Sequence, residues 1–194
     1  MQDACPPGVG AMSTVLGLGA EAVAAACAAA EADGAGVVVP ANYNCPGQIV
    51  ISGDARAVER ASAIAMELGA RRVIPLRVSG PFHSPLLASA REGLTEKLVS
   101  VEISAPTVPV FSNVTAEPAS DPREIRSLLG DQVCSPVRWE QSITNMASTA
   151  GIDTFVEFGP GRTLQGLVKR ILPSATTYCV EDIASLEEAA NTLF

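Results

Sequence analysis

The sequence predicts an α/β protein: a small self-contained unit comes first, and a second unit of alternating strands and helices follows. Three observations carry this expectation. Two alanine-rich stretches repeat apolar residues at helical spacing. Short β-branched runs bounded by Gly, Pro, Asn and Asp flank both of them. After residue 78 the rhythm changes, and longer helical stretches separate isolated apolar strands.

Gly10 to Gly17 reads as the first strand, and Ala20 to Ala32 as a helix stopped by Asp33-Gly34. Val37 to Tyr43 and Gln48 to Ser52 read as two strands around the turn-rich Asn44-Cys-Pro-Gly47. Asp54 is placed to cap a second helix, in which Val58, Ala61, Ile64, Ala65 and Leu68 share one face. Arg71 to Val78 returns as a strand. The order βαββαβ is the split, ferredoxin-like arrangement, with both helices covering one face of an antiparallel sheet.

Gly80-Pro81 ends that run, and Ser84 followed by Pro85 reads as an N-cap with proline at the first helical position. The helix continues through Leu86, Leu87, Ala90, Leu94 and Leu98 to about Val99. Thr107 to Ser112 is expected as a strand, and Thr115 to Glu124 as a loop. Helices are expected near Ile125–Asp131 and over Pro136–Ala150. Asp153 to Phe158 reads as a buried strand turning through Gly159-Pro160-Gly161 into a helix that ends near Leu172. A short strand, Thr177 to Val180, and an acidic helix to Phe194 close the chain. Alternation of this kind suggests a three-layer α/β unit, though its sheet looks too small to stand alone.

The 194 residues are 47% hydrophobic, enough for a substantial core. A net charge of −8 argues against a nucleic-acid partner held by bulk charge. No apolar run is long enough to span a bilayer, and the start lacks the basic-then-apolar order of a signal peptide. Five scattered cysteines, with no C-x-x-C and no Cys/His cluster, indicate neither a disulfide framework nor a zinc site. They read as small buried hydrophobes of a reducing compartment, and the cytoplasm is the expected location.

The only histidine, His83, falls on the strand-to-helix turn of Val78-Ser-Gly-Pro-Phe-His-Ser-Pro-Leu-Leu87. On position alone a surface or hydrogen-bonded structural histidine is the commoner reading, and a catalytic base the rarer one. A base needs a nucleophile, yet no G-x-S-x-G elbow occurs; Ser52, Ser79 and Ser84 lie at turns without glycine on both sides. The glycine-rich turn of Glu157-Phe-Gly-Pro-Gly-Arg162 could present backbone N–H groups to an anion. A tight turn with no ligand is the commoner reading there.

Five ordered blocks carry a resemblance over essentially the whole chain: NYNCPGQIVISG (42–53), VSGPFHSPLL (78–87), APTVPVFSNVTA (105–116), QVCSPVRW (132–139) and EFGPGRTLQGLVKRI (157–171). Together they resemble the malonyl-CoA–acyl-carrier-protein transacylase family, shared with acyltransferase domains of fatty-acid and polyketide synthases. The resemblance implies a ferredoxin-like small subdomain (9–78) inserted in an α/β-hydrolase-like catalytic subdomain, of which 79–194 would be the C-terminal part. It implies His83 as the base that activates a serine, and Gln132 as the residue whose backbone carbonyl orients it. Phe82 resembles the residue that narrows the acyl pocket in malonyl-selective members, although a core aromatic would need no such role. Arg71 and Arg72, read as ending the second helix, resemble basic residues that meet the acidic carrier protein; solvated charges near a helix C-terminus are the equal alternative.

The expected reaction is ping-pong malonyl transfer from coenzyme A, through an acyl-serine, to the phosphopantetheine thiol of acyl carrier protein. The coenzyme A thioester is substrate, and no cofactor, metal, nucleic acid or membrane is implied. The family's G-H-S-x-G, its oxyanion-hole segment and its malonate-pairing arginine are absent from these residues. Met1-Gln-Asp-Ala4 resembles the tail of the helix bearing that arginine. The chain is therefore expected to be the C-terminal portion of a transacylase, inactive alone. Two rivals stand beside it: an acyltransferase for another extender unit such as methylmalonyl, disfavoured by Phe82 where such members typically carry serine, and a non-catalytic carrier-protein-binding or regulatory module.

Overall fold

The computed structural model describes residues 4–6, 8–78 and 80–193. Met1 to Asp3, expected as the end of a helix, and Ser79 lie outside the described residues. A four-stranded antiparallel sheet, order β2-β3-β1-β4, is built from β1 (Gly10–Leu16), β2 (Val38–Cys45), β3 (Gln48–Asp54) and β4 (Arg72–Pro75). Helices α1 (Ala20–Ala32) and α2 (Ala55–Glu67) follow β1 and β3, as the apolar spacing predicts. One sheet face and both helices share a core of Val15, Val23, Ala26, Val38, Ile49, Ile51, Val58 and Ala61, among others. The period-2 alternation of the strands sends Met12 and Val50 to the opposite face, where they meet Ala41 and Phe82.

Three local expectations fail in this sheet. Asp54 occupies the N-cap position of α2 but makes no side-chain cap. Its Oδ2 instead accepts from the Val37 N–H at 2.7 Å, pinning the start of β2. Arg71 and Arg72 do not end α2: the helix stops at Glu67, and Gly69 at φ +97° turns the chain out of it. Arg71 donates its backbone N–H to Leu16 O at 2.8 Å, and Arg72 begins β4. The fourth strand is also half its expected length, with one bond beyond it, from Leu76 N–H to Met12 O at 2.9 Å.

A 3-10 turn (Pro85–Leu87) leads into α3 (Ala88–Val99). The expected strand from Thr107 shrinks to β5 (Val110–Phe111), paired with β6 (Pro118–Ala119) inside the expected loop. Then α4 spans Pro122–Asp131, starting earlier than expected because Asp121 caps it, accepting from the Arg123 and Glu124 N–H groups at 2.6 and 3.2 Å. The chain divides into two compact units, the first ending at Trp139 and the second beginning at Glu140. The division falls later than the change of sequence rhythm at residue 78, because segments after 80 pack on the small sheet.

The second unit holds most of α5 (Trp139–Ala150), then β7 (Thr154–Phe158), α6 (Thr163–Ile171), β8 (Thr176–Val180) and α7 (Ile183–Leu193). Its two strands pair in parallel, Thr154 opposite Thr176 through Phe158 opposite Val180. A parallel pair joined through a helix is the βαβ unit.

Candidate active site

The small sheet shapes the loop that carries His83. Gly10, at the start of β1, has no Cβ; one built there would fall 2.3 to 2.8 Å from three carbons of the Pro81 ring. Glycine inside a strand marks close approach of another segment, and here that segment is the histidine loop. Phe82 packs on Met12, Ala41 and Val50, and also borders the cluster of Cys5, Leu87 and Val133. Its ring is thus a core aromatic bridging two clusters.

The same sheet holds the segment bearing Gln132. Its edge strand β2 bonds to Val137 in a short parallel bridge: Val137 N–H donates to Ala41 O and Tyr43 N–H to Val137 O, both at 2.8 Å. Sequence reasoning missed this tether, because a single bridge leaves no periodic pattern. His83 Nδ1 lies 3.0 Å from the Gln132 carbonyl oxygen. A carbonyl only accepts, so the contact requires the proton on Nδ1 and leaves the Nε2 lone pair free. The Gln132 side-chain Nε2 donates to Ser135 O at 3.0 Å and lies farther from His83 Nδ1, at 3.5 Å, than the carbonyl does. Both His83 and Gln132 belong to the first compact unit.

His83 itself adopts φ 60°, the left-handed region that non-glycine residues rarely visit. Such strain persists only where the surroundings over-determine it, and it collects at functional sites. Ser84 supplies part of that determination. It stands at the N-cap position but caps no helix N–H. Fully buried, its hydroxyl donates backwards to Pro81 O at 2.7 Å.

Arg71 and Arg72 are exposed and line a cavity of about 660 Å³ with Met12, Met66, Pro75 and Leu76. The glycine-rich turn after β7 has its N–H groups occupied from within. Glu157 accepts from Leu164 and Gln165 N–H at 3.0 and 2.8 Å, and Glu181 from Gly161 N–H at 3.2 Å. An internal carboxylate at the start of α6 fills the place an anion would take. Burial and the neighbouring Glu31 charge push the Cys27 thiol up to about 12. Among the described residues no group of three or more His, Cys, Asp or Glu side chains could hold a metal, and no helix is long and apolar enough to cross a membrane.

The acyl transferase domain model matches residues 9–190, which is nearly the whole chain. The chain belongs to the acyl transferase domain family. Among its acyltransferase relatives, the malonyl CoA-acyl carrier protein transacylase of Bacillus subtilis is 46% identical over 193 residues, covering 100% of this chain and 60% of the relative. That of Haemophilus influenzae is 43% identical, with 100% and 61% covered. An acyl carrier protein S-malonyltransferase from Vibrio cholerae superposes with a TM-score of 0.93 at 44% identity, covering 97% of this chain and 61% of that one. A malonyl-transacylase in complex with its type II PKS acyl-carrier protein superposes equally well, TM-score 0.93 at 39% identity, with 98% and 61% covered. The chain spans about three fifths of the length of these relatives.

Proposed function

We propose that this chain carries the general-base part of a malonyl-CoA–acyl-carrier-protein acyltransferase. The observation that supports the reading most is the 3.0 Å contact between His83 Nδ1 and the Gln132 carbonyl. It leaves Nε2 as a lone-pair base, the state required to take a proton from a hydroxyl nucleophile. A serine on a G-x-S-x-G elbow, which these 194 residues do not contain, gives its proton to Nε2 and attacks the malonyl thioester carbonyl. The tetrahedral intermediate collapses, the C–S bond breaks, and the imidazolium returns the proton to the departing coenzyme A sulfur. The carrier protein's phosphopantetheine thiol then loses its proton to Nε2 as it attacks the acyl-serine, and the serine oxygen takes that proton back. A neutral carbonyl stabilises imidazolium less than a carboxylate does, which suits a thioester whose leaving group is already good.

In this reading residues 9–78 act as the ferredoxin-like small subdomain and 79–194 as the C-terminal part of the α/β-hydrolase-like catalytic subdomain. Phe82, directly before His83, narrows the acyl pocket in favour of malonyl. Arg71 and Arg72, exposed beside the cavity at β4, meet the acidic carrier protein.

The test is a fusion of this chain behind the nucleophile-bearing segment of the Bacillus subtilis relative. The fusion should form a hydroxylamine-labile malonyl adduct and pass it to carrier protein, whereas the chain alone should form none. His83→Ala in the fusion should lower the rate by about 10²- to 10⁴-fold, the usual worth of a positioned base. Gln132→Ala should cost far less, because the contact uses the backbone carbonyl. A folded fusion that stays unlabelled, or an adduct on the chain alone, sinks the proposal.

A further inference from the structure

The hydroxyl of Ser84 stands where a helix cap is expected and does something else. The residue is extended, φ −126° and ψ 160°, and offers no side-chain bond to the 3-10 turn that follows. Instead Oγ donates to Pro81 O at 2.7 Å, spanning the one residue in the loop with a left-handed backbone. The backbone of Ser84 also reaches forward, its carbonyl accepting from Leu87 N–H at 3.2 Å. Pro81 is fixed on Gly10 of β1, and Leu87, fully buried, packs with Val133 next to Gln132. Ser84 therefore ties the anchor on the sheet side of His83 to the anchor on the Gln132 side.

We propose that Ser84 is a positioning residue for the base: its hydroxyl, by closing the Pro81–Ser84 loop, holds His83 left-handed with Nδ1 against the Gln132 carbonyl. Without that bond the backbone of His83 relaxes toward negative φ, the conformation its side chain prefers. The imidazole then swings away from Gln132, and the tautomer with Nε2 free loses its support. The inference rests on the reading of His83 as the base, but it can be tested without turnover.

His83 is the only histidine, so its ring nitrogens give unambiguous signals in ¹⁵N NMR of the full 194-residue chain. With the ring neutral, the parent should show the proton on Nδ1. Ser84→Ala should lower the ratio of Nδ1–H to Nε2–H forms by about tenfold, the scale of one lost hydrogen bond. Ser84→Cys, nearly the same size with a weak donor, should do the same, and it decides the matter if the Ala variant does not fold. Ser84→Thr keeps the hydroxyl, suits an extended backbone, and should retain the parent ratio. A folded Ala or Cys variant with the parent's ratio overturns the proposal, as does a Thr variant that loses it. Because tautomer and turnover are read separately, failure here leaves the acyl-transfer reading standing, and an inactive fusion with the shift intact points the other way.

Discussion

Gly10→Ala offers a sharp check on the claim that the small sheet shapes the histidine loop. Alanine is ordinarily the better strand residue, and removing glycine's unfolded-state freedom favours folding by about 0.5–1 kcal/mol. At this site the new Cβ would sit 2.3, 2.5 and 2.8 Å from the Pro81 ring carbons. Carbon atoms settle at about 3.5–4.0 Å, so the ring must withdraw by roughly 1 Å. The ring is rigid and Pro81 is fully buried, so the displacement passes to the backbone two residues before His83. Overpacking of this kind costs about 1–3 kcal/mol, which set against that gain leaves a net loss of up to roughly 2.5 kcal/mol. Urea unfolding followed at the β1 and β3 amides should show that loss, and the His83 ring signals should move in the folded variant. Gly93→Ala is the control: Gly93 lies inside α3, nothing falls within 4 Å of a Cβ there, and stability should rise by about 0.5–1 kcal/mol. A Gly10→Ala protein at least as stable as the parent, with unmoved His83 signals, would refute the reasoning.

Three further outcomes are expected. Cys27, its thiol pushed up to about 12 by burial and Glu31, should alkylate more slowly at pH 8 than the half-buried Cys134 and Cys179; equal labelling by mass spectrometry would count against the burial argument. Hydrogen bonds from the Ser185 hydroxyl and backbone N–H hold the Asp182 carboxyl below its ordinary value. A depressed carboxyl stabilises above its unfolded value and loses that contribution as pH falls through the folded one, so the first turn of α7 should fray only below the usual carboxylate range. Amide exchange at Ser185 that is indifferent to acid would contradict this. Hydrogen exchange should be slow across Gly10–Leu16 and Gln48–Asp54, at the centre of the four-stranded sheet, and faster across Thr154–Phe158, which has one paired neighbour. Uniform protection would show that the two units do not differ in stability.

Much of the first unit was legible because pattern and punctuation agree there. Ala20–Ala32 came out residue for residue, and three of the four strands fall within two residues or so of expectation. The capping errors share a cause: a polar side chain at a cap position has more than one partner in reach, and sequence cannot choose between them. Asp54 went to Val37 and Ser84 to Pro81, whereas Asp121 did cap its helix, and the Asp-Pro-x-Glu signal before α4 stood in the sequence unread. The Thr107 strand contracted to two residues, since its one partner among the described residues, Pro118–Ala119, is equally short. At the site, His83 was visible as a lone imidazole on a turn, but its partnership with Gln132 was available only by resemblance. The two residues are 49 apart in sequence, and the bridge at Val137 ties the segment after Gln132 to the same sheet.

That bridge has a consequence for solubility. An antiparallel sheet of four strands presents two rows of unpaired backbone groups, each a template for another chain. On the β2 side, Ala41 O and Tyr43 N–H are already engaged by Val137, so the row is interrupted at its middle. On the β4 side the strand is only four residues long, begins with an exposed Arg72 and ends in Pro75. Short length, charge and proline are the devices by which proteins blunt such rows. The segment that holds Gln132 against His83 thus also shields the longer rim of the sheet. Loosening it by mutation would leave β2 open to a neighbouring molecule, so loss of the His83–Gln132 contact and self-association should appear together.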